Sequence, residues 1–456
     1  MARVQPPQRL PDVYHDIRSV TRPTATIPTR GRVMAMITLD WFNPGEVVRI
    51  STSEWQSPDS LALLGMSPGA GFDGNIGVSA LMDGAETGLI FPRNSTGAKA
   101  TGGVGDVMFT AAKYGAAGNK LSIQISEQGT AHRVTTFFSG VPVDSQIISN
   151  ISEFTGNRFI MPEVTIGSGE APETVIIMNG EAKFDGGDSG TIPSYSERAA
   201  VFQSAASIET WDVIAFSIDP EESGYTSAVA AFIEWLNVTN EEQQEARHAV
   251  IFNYTDLSSD NYDVTNIRQT CRFDGELLSP SEMCLWVASL SAGAAANHSM
   301  TADRLRRASD LQPRYNAQNR EEYMNRGFWL LHEDQNGVIT VVRDNNSFVS
   351  TSLDFNIQWT DNRSMRTRHA WMIGVSNIFD TEFKGAVADT AEGRTLFRVA
   401  CDRLATAFEE VEMFAEHDIS KIAVVSGAFR TWGADYEPAV IPTAVDTLDF
   451  RTRITW

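Results

Sequence analysis

Helical and strand patterns alternate along the chain between residues 192 and 345. A helical stretch, "SYSERAAVFQSA", precedes the apolar strand pattern "WDVIAFSI". The next helix, "YTSAVAAFIEWLNV", is amphipathic, and "HAVIFNY" follows it as a second strand. A further helix, "SEMCLWVASLSAGAAA", is rich in small residues that favour close packing. Because strands separated by helices of this length form parallel sheets, the pattern predicts an α/β domain over residues 185–345.

Shorter strand patterns precede this domain. In residues 32–96, a first α+β segment, "VMAMITLDW" predicts a buried strand, "NPG" a turn and "EVVRI" the antiparallel partner of that strand. Alternating stretches such as "KLSIQISE" and "HRVTTFF" then recur between turn residues and predict a small β-sandwich over residues 97–184. The α/β domain itself ends in a hairpin, where Asn336-Gly337 is typical of a type I′ turn.

The last part of the chain predicts an α+β domain over residues 346–445. Two helical patterns, "MRTRHAWMIGVSNIF" and "TLFRVACDRLATAFEEVEMF", are followed there by the strand pattern "KIAVVS". The multidomain chain therefore combines α/β and α+β regions. Its length of 456 residues is enough for about three domains.

Both ends of the chain predict extended arms. Residues 1–31 contain five prolines around one strand-like piece, "DVYHDIRSV", and residues 446–456 form a strand pattern with no turn after it. In the terminal strand, four apolar side chains fall on one face and two arginines on the other. The candidate contact residues of the two arms are Val13, Tyr14, Ile17 and Val20 at the amino end, and Leu448, Phe450, Arg451, Arg453, Ile454 and Trp456 at the carboxyl end.

The charge of the chain argues against a direct nucleic-acid partner. Neutralising phosphates needs a surface rich in Lys and Arg, and the net charge of this chain is -22. The amino terminus has no apolar core of a signal peptide, and the least polar run, "CLWVASLSAGAAANHSM", is too short and too polar to span a bilayer. We therefore expect no membrane insertion, and folding in a cytoplasm.

Three sequence patterns match catalytic motifs, but the residues around them do not fit the corresponding active sites. "GMSPG" places Ser67 in a G-x-S-x-G pattern, but Pro68 has no N–H for an oxyanion hole. "GAGFDG" matches a dinucleotide-binding loop without a strand before it. Asp212, His248 and Ser291 follow the chain order of a subtilisin triad, although none stands in a catalytic sequence context. The sequence predicts no catalytic residue.

The cysteines and histidines predict neither a disulfide nor a metal site. Cys271, Cys284 and Cys401 are odd in number and far apart, and the histidines form no H-x-x-x-H or Cys/His cluster. We expect no metal and no other cofactor. One basic cluster is unusual in so acidic a chain, and it is either a contact face for an acidic partner or a solvated helix start: Arg363, Arg366, Arg368 and His369.

Several stretches, in their order along the chain, resemble contractile tail sheath proteins of phages and of phage-derived particles. "ITLDWFNPGEVVRI" is similar to the opening strand pair of that family, and "AAKYGAAGNKLSIQI" to the entry into its β-sandwich. "FDGGDSGTIPSYSERAAVF" resembles the bridge into its central domain, "LWVASLSAGAAANHSMTADRL" its small-residue helix, and "VVRDNNSFVS" the turn before its carboxy-terminal domain.

The resemblance implies a subtilisin-like central domain without protease residues, and a segment 32–96 that packs with the carboxy-terminal domain. It implies a sheath subunit that polymerises as stacked six-membered rings around a tail tube and contracts to drive the tube through a cell envelope. The arms would add strands to a sheet in neighbouring subunits. The implied partners are further copies of the chain, the tube protein, and baseplate and tail terminator proteins, with Arg363, Arg366 and Arg368 as candidate tube-facing residues.

The implied location is the virion tail or a phage-tail-like particle, assembled in the cytoplasm of the host bacterium. Pro23, Pro28 and the segment "GADYEPAVIPTA" are the candidate hinges of the arms. Two other functions remain alternatives at this point: another self-assembling virion or shell protein, and a serine hydrolase that uses Ser67 or Ser291.

Overall fold

The computed structural model describes residues 27–68, 76–167, 171, 175–241, 245–252, 259–353, 355–427 and 432–436. The chain divides into two compact units, of which the larger includes Pro28–Ile373 and the smaller includes Gly374–Val440. The helices of the described ranges are α1 Thr52–Trp55, α2 Asp59–Leu64, α3 Ile76–Gly84, α4 Tyr195–Ile208, α5 Tyr225–Glu241, α6 Pro280–Gly293, α7 Ala317–Asn325, α8 Asn362–Ile378 and α9 Ala391–Glu410.

The strands form one large and several small sheets. They are β1 Arg32–Ile37, β2 Val48–Ser51, β3 Thr87–Pro92, β4 Thr101–Val104, β5 Val107–Thr110, β6 Leu121–Gln128, β7 Ala131–Phe138, β8 Val141–Ile148, β9 Thr165–Ile166, β10 Gly180–Lys183, β11 Val213–Ala215, β12 His248–Phe252, β13 Val264–Ile267, β14 Thr270–Phe273, β15 Glu276–Leu277, β16 Ala308–Gln312, β17 Phe328–Trp329, β18 Leu331–Glu333, β19 Ile339–Val341, β20 Ile422–Ser426 and β21 Trp432–Tyr436.

The large sheet has seven strands in the order β17-β13-β12-β11-β1-β3-β2. Its neighbours pair in parallel except for β2, which is antiparallel to β3. The predicted parallel α/β arrangement of the central region is therefore present. Strands β1, β2 and β3 come from residues 32–96, so this segment completes the central sheet. The expected packing of this segment with the carboxy-terminal domain stays a prediction.

Helices cover both faces of this sheet. Val33, Ala35 and Ile37 of β1 belong to a core that also contains apolar residues of α3 and α6. Met34 and Met36 point to the opposite face, into a second core formed with α4 and α5. Successive side chains of a strand alternate between the faces of a sheet, so a strand that is buried on both faces must be apolar throughout.

The predicted hairpin between β1 and β2 does not form, because β3 lies between these two strands. The pattern of β2 explains its position at the edge of the sheet. Val48 and Ile50 are buried while Arg49 is exposed, as expected for a strand with one solvated side. The central place beside β1 goes to β3, which is almost entirely buried. Consecutive strands often pair, but here the more completely buried strand β3, and not β2, pairs with β1.

Helices α3 and α6 pack with their backbones in close contact. A Cβ atom on Gly293 would lie 2.1 Å from Gly84 O, and one on Gly84 would lie 2.7 Å from the carbonyl carbon of Ser289. Two polar contacts hold the pair: Ser289 Oγ donates to Ala80 O (3.1 Å), and Trp286 Nε1 donates to Asp83 Oδ2 (2.9 Å). The close packing that the small residues of "LWVASLSAGAAA" predict is present.

The starts of α4 and α6 follow from local sequence. Ser194 and Glu197 form a capping box at α4, and Ser279 and Glu282 form one at α6. In each case the serine hydroxyl and the glutamate satisfy backbone N–H groups that have no partner within the helix. Pro280 occupies the first turn of α6, where its missing N–H is not needed.

Residues 101–183 form two antiparallel sheets inserted between β3 and β11. One has the order β10-β6-β7-β8 and the other the order β4-β5-β9. Both sheets contribute to a third core, with Phe109 from one and Ile123 and Val134 from the other. Trp41, from the loop after β1, is also buried in this core and donates from Nε1 to Ala62 O (3.0 Å). The insertion is thus anchored on the first segment of the chain.

The hairpin that ends the α/β region is formed by β18 and β19. Its connection differs from the predicted two-residue turn, because Glu333 pairs with Ile339 and residues 334–338 form the loop. The Asp334 carboxylate accepts from the N–H groups of Asn336 (2.8 Å) and Val338 (2.9 Å), and Gly337 has a φ of 76°. An aspartate that bonds the backbone ahead of it favours such a longer loop.

The smaller unit contains the end of α8, a π-helical turn at Phe379–Phe383, α9 and the hairpin of β20 and β21. Helix α9 is amphipathic, and its stripe of Phe397, Ala400, Leu404 and Phe408 is buried. Leu404 lies so close to Gly374 that a Cβ on that glycine would be 2.7 Å from Leu404 Cδ2. Both helices and the strand β20 correspond to the predicted patterns.

The close contact of α3 and α6 makes Gly293→Ala a sensitive substitution. Alanine favours a helix by about 1 kcal/mol over glycine, but its Cβ would overlap Gly84 O. We expect a net loss of about 2 kcal/mol in the free energy of unfolding, measured in urea. Gly167→Ala is the control, because the nearest atom to its Cβ lies at 3.6 Å. An equal effect of the two substitutions would contradict the packing argument.

Candidate functional site

The predicted arm contacts lie outside the described residues. This applies to Val13, Tyr14, Ile17 and Val20, and to Leu448, Phe450, Arg451, Arg453, Ile454 and Trp456. The candidate hinge at Pro23 and most of the segment 433–444 also lie outside them, as does the glycine motif of residues 69–74. The interactions of the arms therefore stay predictions.

The predicted basic cluster belongs to a buried polar network in the larger unit. Arg363 and Arg366, in the first turns of α8, are 8% and 3% exposed. Arg363 Nε donates to Asn297 O (2.6 Å), and Arg366 Nη2 donates to His298 O (2.6 Å), in the segment after α6. Because these guanidinium groups face the interior of the subunit, the prediction of a tube-facing surface is wrong for Arg363 and Arg366.

Arg368 is half-buried and stacks on aromatic rings. Its guanidinium carbon lies 4.5 Å from the centre of the Trp359 ring and 5.4 Å from that of Tyr262. Tyr262 and Trp359 also contact each other and Phe355. Cation–π contacts and aromatic packing of this kind fix the orientation of an arginine side chain.

The network is built from polar residues at the amino ends of the parallel strands. Asp212 stands directly before β11, and Arg32 is the first residue of β1. The Asp212 carboxylate accepts from Arg32 Nη2 (3.1 Å) and from the backbone N–H groups of Gly31 and Arg32 (3.0 Å each). Since parallel strands begin at the same edge of a sheet, these groups are brought together by the topology.

A chain of hydrogen bonds continues from β12 to α8. His248 Nε2 lies 2.9 Å from Thr265 Oγ1, and Asn362 Nδ2 donates to that hydroxyl and to Asp344 Oδ1 (3.1 Å each). Asp344 is fully buried and lies 2.5 Å from Arg366 Nη2. It also accepts from the backbone N–H of Met300 (3.0 Å). The network therefore fixes the start of α8 against the amino edge of the sheet.

A second buried pair lies next to this chain. His369 Nε2 is 2.9 Å from Asp263 Oδ1, and both side chains are less than a tenth exposed. Burial acts to raise the pKa of Asp263, but His369, His248 and Arg368 together outweigh it, so the net shift of this pKa is downward. Burial lowers the pKa of His248 to about 3, opposed by Asp263 and assisted by His369, Arg30 and Arg366. His248 is thus neutral at physiological pH.

The described residues of the catalytic-like motifs, Ser67, Asp212, His248 and Ser291, have structural positions. Ser67 follows the left-handed cap of α2 at Gly65, where the G-x-S-x-G motif would need a strand. Asp212 and His248 have the partners described above, and Ser291 is buried within α6. The sequence reasoning missed Asp263, Asp344 and Asn362. For Asp263 the signal was its position directly before the apolar strand β13, whereas Asp344 and Asn362 do not precede a strand and had no such signal.

The hairpin of the smaller unit is a candidate assembly surface. Strands β20 and β21 pair only with each other among the described strands. Val425 is 57% exposed, whereas Trp432 lies against Phe379, Phe383 and Phe397 and donates from Nε1 to Asp389 Oδ1 (2.8 Å). A strand edge that has no partner among the described strands can accept a further strand.

Comparison with known proteins identifies the central part of the chain. Residues 196–347, which include β11–β19, match the family model described as the phage tail sheath protein central domain. The resemblance to tail sheath proteins is confirmed. The sheath tail protein of Desulfitobacterium hafniense has a similar structure, with a TM-score of 0.74, 23% sequence identity and coverage of 91% of this chain and 93% of that protein.

The similarity to sheath proteins extends over most of the chain. The helical sheath of the anti-feeding prophage in its contracted state aligns with a TM-score of 0.55, 10% identity and coverage of 97% of this chain and 99% of its own. In sequence, the phage-like element PBSX protein XkdK of Bacillus subtilis (strain 168) is 24% identical over 396 residues, which are 82% of this chain and 80% of that protein. The chain thus has the mixed α/β multidomain fold of sheath proteins.

The buried Asp344–Arg366 pair predicts a strong effect of Asp344→Asn. The substitution leaves the guanidinium of Arg366 buried without its counter-charge, so we expect a loss of about 3 kcal/mol in the free energy of unfolding. Asp380→Asn is the control, because Asp380 and its partner Lys384 are both more than half exposed and such pairs contribute about 0.5 kcal/mol. Losses of similar size in urea titrations would show that Asp344 does not stabilise the network.

The lowered pKa of His248 predicts a loss of stability in acid. The unfolded chain binds a proton near the ordinary pKa of 6.5, while the folded chain does not until about pH 3, so stability rises with pH between these values. At pH 5 the contribution is about 2 kcal/mol lower than at pH 7.5. In urea titrations, the free energy of unfolding of His248→Gln should therefore change by about 2 kcal/mol less between these two pH values than that of the wild type. An unchanged pH dependence in this variant would contradict the assignment.

Proposed function

We propose that this protein is a structural subunit of a contractile sheath, of the kind that surrounds the tube of a phage tail or of a related injection particle. The observation that carries the proposal is the similarity of its fold to the sheath tail protein over 91% of the chain, together with the matched central domain. It has no catalytic role in this proposal. Its location would be the tail of a virion or of a phage-tail-like particle, assembled in the cytoplasm of the host bacterium.

The electrostatics of the sheet support a structural role. Open α/β sheets bind ligands at the carboxyl ends of their strands. Here the buried polar and ionic groups of Asp212, His248, Asp263 and Arg366 lie at or against the amino ends, and each contacts another group of the network. Side chains that are held in this way connect α8 to the sheet. They resist deformation of the subunit, which a sheath needs when it transmits force.

We propose that the arms join subunits by adding strands to the hairpin of β20 and β21. The terminal strand 447–456 has four apolar side chains on one face, and each would gain roughly 1.5 to 3 kcal/mol on burial. Fixing the backbone costs on the order of 1 to 2 kcal/mol per residue. For one arm alone, the free energy gained by burial is therefore about equal to the cost of fixing its backbone. Ladder hydrogen bonds to an open strand edge, repeated in every subunit, shift that balance toward assembly.

In the assembled particle, subunits would form six-membered rings stacked around a tail tube. Arms that stay paired while the domains change their packing would let the sheath contract without coming apart. The extended form would then be a kinetically trapped state whose collapse does mechanical work. The remaining partners are the tube protein, and baseplate and tail terminator proteins at the two ends.

Electron microscopy of the purified full chain tests the proposal. We expect striated hollow cylinders in negative stain. Closed shells without a central channel would favour another self-assembling virion protein, and failure to polymerise at any concentration would speak against both. Labelling of Ser67 or Ser291 by a fluorophosphonate probe would instead indicate a serine hydrolase.

Variants of the terminal strand test the role of the arm. Phe450→Asp combined with Ile454→Asp places charges on the apolar face, and we expect it to abolish polymerisation in sedimentation assays, as should deletion of residues 447–456. The matched control is Arg451→Ala combined with Arg453→Ala on the opposite face, which should retain assembly. Cylinders formed by the deletion variant would exclude the terminal strand as the joining element.

A further inference from the structure

A pocket of about 420 Å³ lies in the larger unit, where helices α3 and α6 end. Gly84 and Gly293, the last residues of these two helices, form part of its wall. The other apolar lining residues are Leu290, Ala294, Met300, Leu305 and Val341. Ligand pockets have volumes of about 300 to 1,000 Å³ and mostly apolar walls. This pocket, which we call the end pocket, therefore has the size and the polarity to take up an apolar group.

The mouth of the end pocket is positively charged. Arg304 and Arg306 line it with exposed side chains, and neither forms a salt bridge with another described residue. Asp303 lies on the same rim, 2.7 Å from Nε2 of His298. Asp334 is near enough to Arg304 to interact with its charge but does not line the pocket. Two guanidinium groups thus face one carboxylate, so the lining is net positive whether or not His298 is protonated, and it favours an acidic partner.

A loop of the same unit presents apolar side chains to solvent. Leu353 is fully exposed, Ile357 is 62% exposed, and Val349 and Phe355 are each more than a third exposed. Single exposed apolar residues are common on protein surfaces, but four within nine residues are typical of a contact with another protein. We call residues 349–353 and 355–357 the apolar loop.

Hydrogen bonds hold the apolar loop in place. Asp260 Oδ1 accepts from the backbone N–H of Val349 (2.8 Å). The Ser352 N–H donates to Phe355 O (2.8 Å), and Ser352 Oγ accepts from the Phe355 N–H (3.1 Å). The backbone is therefore fixed on both sides of Leu353. A partner that buries this leucine would need to order little more than its side chain, which keeps the entropic cost of binding low.

We propose that the apolar loop of one subunit inserts Leu353 into the end pocket of a second copy of the chain. The apolar walls of the pocket suit the leucine, and the arginines at its mouth suit an acidic partner. In the sequence, Leu353 is directly followed by an aspartate, and the whole chain has a net charge of -22. Because Leu353 is fully exposed, it does not fill the pocket of its own subunit. The inference rests on the proposed function, since it concerns a contact between sheath subunits.

The proposed contact joins two different surfaces. Each subunit would use its apolar loop on one neighbour and offer its end pocket to another. A contact of this heterologous kind repeats from copy to copy, and it produces a closed ring or a helical row. It would connect the larger units of neighbouring subunits directly, in addition to the proposed pairing of the arms.

Cross-linking of two variants, each with one added cysteine, tests the contact. The three native cysteines are buried, so a short bismaleimide should react with an added cysteine on the surface. Thr351→Cys marks the apolar loop, and Ala295→Cys marks the pocket beside the lining residue Ala294; both positions are exposed. We expect a covalent dimer when the two full-length variants are mixed and none from either variant alone, because each contact joins a loop to a pocket.

The matched control for the pocket is Ser204→Cys. This exposed position is on α4, which covers the opposite face of the sheet from α3 and α6, so it should form no dimer with Thr351→Cys. Adding Leu353→Lys to the Thr351→Cys variant replaces the apolar group by a charge of the same sign as the mouth. It should lower the yield of dimer at least about tenfold. Adding Ile208→Lys, at another exposed position of α4, should leave the yield unchanged.

Electron microscopy of the same mixtures separates this inference from the proposed function. Cylinders without the dimer would show that the end pocket has another occupant, so the inference would be wrong while the sheath function stands. The dimer without cylinders would support the contact and count against the sheath function, and the absence of both would overturn both. A dimer that forms equally well with Ser204→Cys, or from one variant alone, would also overturn the inference.

Discussion

Strand β1 is buried on both faces and has a parallel neighbour on each side. Its side chains alternate between two helix-covered cores, and its backbone pairs with β3 and with β11. These two neighbours are separated along the chain by the whole antiparallel region of residues 101–183. The inserted sheets, the helices of both layers and the later strands are therefore all positioned by one six-residue segment, "RVMAMI". Without it, the first segment and the central domain would not share a sheet.

The strands of a parallel sheet all begin at the same edge, and in this protein the buried charged side chains lie at that edge. Each charge is tolerable because it has a partner fixed by the fold: Asp212 with Arg32, Asp344 with Arg366, and Asp263 with His369. Helix α8 takes part through Asn362, Arg363, Arg366 and His369, so its start is fixed by hydrogen bonds as well as by packing. Arg30 is the exception, because its buried guanidinium nitrogens donate to no acceptor among the described residues.

The predicted elements were most accurate where a pattern was local. The helices α4, α5, α6 and α9 follow from apolar spacing and from capping residues such as Ser279 and Glu282. The basic cluster was misjudged, because sequence shows that Arg363 and Arg366 are charged but not that carbonyl groups of residues 297 and 298 would surround them. Likewise, the turn at Asn336-Gly337 was placed correctly, while the carboxylate of Asp334 made it longer than expected.

The sequence by itself determined the type of most elements, the order of the regions and the similarity to sheath proteins, since these depend on periodicity and on short motifs. The tertiary structure alone decided that β3 separates β1 from β2, that residues 32–96 complete the central sheet and that the arginines of α8 face inward. The physical reason is that such pairings join residues far apart in the chain. The free energy of these pairings depends on which surfaces are buried together, and a local sequence pattern does not contain that information.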